Sequence, residues 1–485
     1  MSVPVEHQPQ PSRVRATFWL LVSLVCIFGM QKAIVTPLDP DLFWHLRVAE
    51  QLLKEGVHPL IDRISFSSRP DPWTPYSWLP ELGMKIVWDT LGYRGTILAQ
   101  IAATAGIIIF IARSCLEMTR GQRLMNCAIA TVLGAYLTLP YISFRPATFA
   151  IFWLALVSYL LLRDRRLEER SRAVWIVIPI TILLANIHLV VIMVPIWIGC
   201  LLTGSIIERR SIKRYMILLI ATALGCLATP LLPGVIRSAW HYQSADVMVK
   251  SDVIGEMHAV YAGIAGIVTC ALLVVLLLLA LRHRRRIRIG QWLWLIAAIL
   301  FMLRLGRFTP MFAMIVAPIL AEALPAMSDV VLERKLVRNV LTVVALLTFG
   351  RLAWIFPRPS LSLDAFINSD DTIAYPANAA NYVEKNIAPR SHRLINEFSW
   401  GGYLGWRLGD QYQVFLDGRT QVFPADFWKA TYLSGEAPIK TALEKANADA
   451  AILPLKNSRF EKALKELSWK QVYTDDRAQI LIPPQ

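Results

Sequence analysis

The chain has 485 residues, of which 55% are hydrophobic and only 18% charged, with a mean hydropathy of +0.46. That much apolar surface is more than one water-soluble core hides, so a bilayer must act as solvent for a large part of it. The net charge of +15 does not point to nucleic acid: the arginines cluster in short connections between apolar segments, with no basic groove interleaved with aromatics.

In chain order, residues 1–15 carry Arg13 and Arg15, and no small-residue cleavage site follows the next apolar run. They read as a cytoplasmic tail before an uncleaved first span, Ala16 to Val35. Gly95 to Ala112, Gly263 to Leu281 and Val340 to Ile355 are also near the length, about 20 residues, that crosses a hydrocarbon core. Ala173 to Ile207, around Asn186 and His188, is too long for one span, and so is Gln291 to Leu324, interrupted at Arg304 and Arg307. Both read as tight hairpins. Basic clusters at Arg120/Arg123, Arg163/Arg165/Arg166, Arg209/Arg210, Arg284 to Arg286 and Arg334/Lys335 then fall on every second connection, as cytoplasmic loops should. The expectation is a membrane domain over residues 16–356 with about eleven transmembrane helices.

The first outer loop, residues 36–94, holds Trp44, Trp73, Trp78 and Trp88 and a helical stripe of Leu42, Leu46, Ala49 and Leu53, with Gly56 placed to stop the helix. That helix is expected along the membrane interface, where tryptophan is favoured. After Phe356 the composition turns polar, and residues 357–485 read as a small extracytoplasmic α/β domain. Its predicted elements are helices over Asn378–Asn386 and Phe460–Leu467 and strands over Gln413–Leu416, Ala450–Leu453 and Ala478–Ile482. The six cysteines sit in or beside apolar spans without metal or redox spacing, so no disulfide is expected.

Chemistry concentrates in Leu38-Asp39-Pro40-Asp41-Leu42-Phe43-Trp44-His45, directly after the first span, because carboxylates beside hydrocarbon are costly to hold without a use. Asp41 and His45 share a helix side, and Pro40 holds Asp39 extended. The plainer reading makes Asp41 an N-cap for the interfacial helix. Asp39, Asp41 and His45 together are a candidate site for a divalent Mg or Mn ion.

An acidic motif after the first span, a long first outer loop, many spans and an outer C-terminal domain resemble the GT-C glycosyltransferases, membrane enzymes that use lipid-linked sugars. The run from Asp39 to Leu46 is similar to that of a bacterial group of GT-C-like membrane proteins, a resemblance that implies a bacterial inner membrane. The likeness continues through Arg145-Pro146, Asn186-Ile187-His188, Arg304 to Phe308, Trp400-Gly401-Gly402-Tyr403 and Phe415-Leu416-Asp417-Gly418-Arg419-Thr420. The adjacent Asp-Glu pair of protein mannosyltransferases is missing, as is a clear Trp-Trp-Asp motif in the outer domain.

The resemblance implies that Asp39 or Asp41 acts as general base on an acceptor hydroxyl, which attacks the anomeric carbon of a polyprenyl-phosphate sugar with inversion. Arg304, Arg307 and then Arg145 are the candidates for binding the donor phosphate, the alternative being arginines that snorkel to lipid headgroups or neutralise the aspartates. His45, His188 and Glu256 are candidate substrate-binding residues, and the acceptor would be an extracytoplasmic glycan, lipid or protein. Asp417 and Arg419 follow a strand and are candidate acceptor contacts or members of a structural loop, while the glycines beside them are expected to supply positive backbone dihedrals. The rival reading is a non-enzymatic scaffold with the same architecture that binds a partner complex. A transporter is disfavoured, because repeats and charges deep within several spans are missing.

Overall fold

The computed structural model describes residues 11–35, 38–244, 246–248, 251, 253–258, 260–358, 361–367 and 375–484. Among them, seven helices are long and apolar enough to cross a membrane: Ser12–Val35, Trp78–Met118, Leu124–Tyr141, Pro146–Arg166, Leu189–Ile207, Gly263–Arg282 and Lys335–Ile355. Four shorter apolar helical segments lie between them, Arg172–Ala185, Lys213–Gly225, Ile289–Arg304 and Thr309–Ala323. Each hairpin expected from the sequence is therefore two helices, turning at Asn186–His188 and at Leu305–Phe308. The 41-residue Trp78–Met118 helix is broken at Gly92, whose φ of 59° and ψ of −153° are non-helical. Its first half belongs with the outer loop, and its second half enters the bundle.

Contacts sort the connections onto two ends. Arg166 pairs with Glu117, Arg123 lies 3.9 Å from Glu322, Arg214 lies 3.0 Å from Asp164, and Arg288 reaches Glu208 and Glu169 at 3.1 Å each. These join the loops that carry the basic clusters. At the other end Ser143 and Arg145 meet Asp39, Leu79 N–H donates to Asn186 C=O, and Gly306 N–H donates to His258 C=O. Alternation of charge along the chain has thus become separation of charge in space.

In the first outer loop the Leu42–Glu55 helix buries Leu42, Phe43, Leu46, Ala49 and Leu52, while Leu53 is exposed, so the apolar stripe is turned relative to the expected one. Gly56, at φ 92°, ends it and donates to Leu52 C=O. The helix does not simply rest on a membrane surface: Phe43 packs edge-on against Tyr375 and Tyr403, with Trp406 5.1 Å away, beneath the C-terminal domain. That domain holds five strands, β1 (Arg393–Asn396), β2 (Gln413–Val414), β3 (Ala450–Pro454), β4 (Lys470–Thr474) and β5 (Ala478–Ile482), in the order β2-β1-β3-β5-β4. β1 is parallel to β2 and β3, and β5 is antiparallel to β3 and β4. The outer loop extends the β2 edge: Val414 N–H donates to Ile64 C=O, and Phe66 N–H donates to Val414 C=O.

One buried ion cluster fastens this junction. Arg419, 1% exposed, lies 2.9 Å from Asp62 of the outer loop and 2.6 Å from Asp417, which also accepts the Ser65 hydroxyl at 2.7 Å. The guanidinium holds the Asp417 carboxyl below its usual range against burial, which acts the other way. A second latch is Arg94, just past the Gly92 break, which donates to the carbonyls of Pro357, Arg358 and Leu361 where the chain leaves its last long helix. Replacing Arg419 with Met strands two buried carboxylates, a loss of about 3–5 kcal/mol. The variant in detergent is expected to melt at lower temperature and to be cut faster by protease in the 357–375 region, whereas an exposed-arginine variant such as Arg390→Met should match the parent.

Candidate active site

The cavity wall begins with the turn after the first span. Asp39 Oδ1 accepts the Asp41 backbone N–H at 3.0 Å, its Oδ2 accepts the Ser143 hydroxyl at 2.6 Å, and Arg145 Nε lies 3.6 Å away. Asp41 stands at the N-cap position of the Leu42–Glu55 helix but makes no side-chain cap bond. Its Oδ1 accepts the Trp44 indole N–H at 2.8 Å instead. The capping expectation is overturned because Asp39 satisfies the turn's amide, and the Asp41 carboxylate is directed sideways.

His45 is turned inward. Its Nδ1 lies 2.9 Å from Glu81 Oε1 in a buried pair, and burial, reinforced by the charge of Arg145, holds the imidazole well below its ordinary range. The ring is therefore neutral at neutral pH. Asp39, Asp41 and His45 do not form the three-ligand metal group that their spacing suggested, and no group of three His, Cys, Asp or Glu with metal-binding geometry occurs among the described residues. Glu81 engages His45 Nδ1, while the carboxylates are turned to other partners, Asp39 to the Asp41 amide and Ser143 and Asp41 to Trp44.

Six of the residues singled out from the sequence, Asp39, Asp41, His45, Arg145, His188 and Arg307, line one cavity of about 420 Å³. Arg304 does not: it lies on an adjoining, more apolar chamber of about 780 Å³ with Ala185, Leu189, Val191, Ile196 and Phe301. Tyr76, His188, Tyr242, Met257 and Arg307 border both spaces. The side chain of Glu256 lies outside the described residues; its neighbours Gly255 and Met257 line the polar cavity. Sequence reasoning missed Tyr76 and Tyr242, whose hydroxyls are 3.2 Å apart, and Glu81 beneath His45. A carboxylate among Leu79, Leu82 and Met84 was the available signal for Glu81.

The C-terminal domain supplies the cavity's remaining wall. A Cβ on Gly418 would fall 2.1 Å from Asp41 Oδ1, and one on Gly402 would fall 2.8 Å from Pro40 O. Neither these glycines nor Gly401 has positive φ. They are required for close approach rather than for a left-handed backbone, and Gly401–Arg407 is helical. Asp417 and Arg419 are buried in the ion cluster and line neither chamber, so they hold the wall in place.

A kinked first-loop helix over an acidic turn, a helical bundle and a capping α/β domain define a polytopic membrane protein with the GT-C fold. Solved structures carry the same architecture at low identity. An archaeal oligosaccharyltransferase, AglB of Archaeoglobus fulgidus, in complex with an inhibitory peptide and a dolichol-phosphate, matches with a TM-score of 0.58 at 12% identity, over 96% of this chain and 74% of that one. An oligosaccharyltransferase of Archaeoglobus fulgidus in complex with Zn and sulfate matches at 0.51 and 13%, over 89% and 68%. ArnT of Cupriavidus metallidurans in the apo state matches at 0.54 and 14%, over 96% and 98%. No family model and no curated protein matches the sequence.

A methyl group at Gly418 would meet the Asp41 carboxylate and the Trp44 indole, so Gly418→Ala must turn that carboxylate from its indole bond or shift the domain, at a cost of about 1–3 kcal/mol. The expected outcome is a lower melting temperature than that of Gly83→Ala, where an added Cβ meets nothing within 4 Å.

Proposed function

We propose that this protein is a glycosyltransferase that moves a sugar from a polyprenyl-phosphate carrier to an extracytoplasmic acceptor, a glycan, lipid or protein, with inversion at the anomeric carbon. The observation that carries the reading is the shared wall: a polar cavity with two carboxylates opens past Arg307 and His188 onto an apolar chamber. A donor with a long hydrocarbon tail, a phosphate and a sugar has that order of chemistries. The carrier tail would occupy the apolar chamber beside Phe301 and Arg304, its phosphate would meet Arg307 and Arg145, and the sugar would lie over Asp39 and Asp41. The likeness to AglB, whose structure holds dolichol-phosphate, agrees with a phosphate-linked lipid donor.

In this reading Asp41 is the general base. Asp39 has both oxygens engaged, by the Asp41 amide and the Ser143 hydroxyl, and serves to hold Arg145 in the cavity. The acceptor hydroxyl oxygen forms a bond to the anomeric carbon from the carboxylate side as the bond from that carbon to the carrier phosphate oxygen breaks. The hydroxyl proton passes to Asp41, and the electron pair of the broken bond stays on the phosphate. Arg307 and Arg145 stabilise the charge that collects there, and guanidinium geometry suits phosphate oxygens. The arginine-rich end of the bundle would face the cytoplasm by the positive-inside rule, turning the cavity outward.

The test is turnover of purified protein in lipid with radiolabelled polyprenyl-phosphate sugars. Asp41→Asn is expected to lower kcat by about 10²- to 10⁴-fold, the range for a general base. Arg307→Gln is expected to lower it by about 10²- to 10³-fold, and Arg304→Gln is expected to act mainly on KM. No transfer by the parent across a broad donor and acceptor panel, together with intact cellular function of an Asp39→Asn/Asp41→Asn variant that still inserts, would replace this reading with the scaffold.

A further inference from the structure

The end of the bundle opposite the candidate active site has a cavity of its own, of about 490 Å³, formed where the loops after the second, fourth, sixth and eighth apolar segments meet the Thr309–Ala323 helix. Seven arginines and three glutamates line it. Three of the arginines have partners on the rim: Arg166 with Glu117, Arg123 with Glu322 at 3.9 Å and Arg210 with Glu168 at 2.7 Å. Arg165 and Arg288 share Glu169 and Glu208 just behind it. Seven guanidiniums therefore face five carboxylates. The surplus falls on Arg120, whose nearest carboxylate is Glu168 at 4.0 Å, and on Arg286, for which no ion pair occurs among the described residues.

The lining is also short of acceptors. The Arg165 side chain is 1% exposed; its Nη1 donates to Glu169 and Ser205 and its guanidinium lies over the Tyr215 ring, yet Nε and Nη2, the latter 3.8 Å from Glu208, make no hydrogen bond, and neither does Nη1 of Arg288. Buried guanidinium N–H groups left without acceptors are costly, and a ligand with several anionic oxygens would satisfy them. Phosphate is the group whose oxygens match the guanidinium fork.

We propose that this cavity binds a phosphate-bearing anion, held by Arg165 and Arg288 at its base and by Arg120 and Arg286 at its mouth. Its place among the ends of membrane helices brings a phospholipid headgroup within reach, and a soluble phosphate compound offers the same chemistry. The binding does not depend on the reaction proposed for the other end of the bundle.

Full-length protein in detergent would be titrated with phosphatidylglycerol, with phosphatidylcholine and with inorganic pyrophosphate, and retention followed by native mass spectrometry. The comparison is with Arg120→Gln/Arg286→Gln, two exposed side chains whose loss leaves the partnered network intact. Retention of phosphatidylglycerol over phosphatidylcholine, weakened about tenfold in the double variant, is the expected result for a lipid headgroup. Retention of pyrophosphate that competes with the lipid, weakened in the same variant, would identify a soluble anion in the same site. Equal retention of both lipids, or equal affinity in parent and variant with matching melting curves, would overturn the proposal.

Discussion

The architecture depends on a charge placed where charge is most expensive. Arg419 is buried between Asp62 of the first outer loop and Asp417 of the C-terminal domain, and an isolated guanidinium there would cost several kcal/mol. With its partners it has one low-energy position, which sets the register between two parts of the chain more than 350 residues apart. Gly418 follows from this. Asp417 and Arg419 fix the backbone on either side of it, and the absence of a side chain lets that backbone close against Asp41. The wall of the candidate active site is thus built by a contact that touches neither chamber.

The distribution of arginine makes two different environments at the two ends of one bundle. At one end arginines are dense and mostly partnered, across loops distant in sequence. At the other, Arg145 and Arg307 are few and border a cavity that also holds carboxylates. Where carboxylates nearly match the arginines the residue acts mainly as a clamp, with only the surplus left for an anion, and where carboxylates are few it is a candidate phosphate ligand.

Much of this was legible in the sequence wherever the signal was local. Spans follow from apolar runs, hairpins from polar interruptions at Asn186 and Arg304, and the acidic turn from carboxylates beside hydrocarbon. β3 and β5 are short buried runs and were readable, whereas β1, Arg-Leu-Ile-Asn, is too short to carry a period and β4 is largely exposed. The pairing of His45 with Glu81 was not legible, because it depends on where the broken Trp78–Met118 helix directs its first turns. The closeness of Gly418 to Asp41 was invisible for a similar reason: it is a product of docking, and a glycine in sequence does not reveal whether it serves dihedral freedom or contact.

The latch at Arg94 gives the covalent connection between membrane bundle and outer domain an unexpected status. Arg94 grips three carbonyls at the start of the connection, so its first residues are held to the bundle itself, and the domain's orientation comes from the sheet extension, the aromatic cluster and Arg419. Beyond Leu361 the Leu363–Ile367 helix stays on the same surface, with Phe366 against Tyr93 and Ile367 buried. The break at Gly92 thus brings Tyr93 and Arg94 to one spot at the root of the outer domain, and a change of bend there would move that root together with the first outer loop.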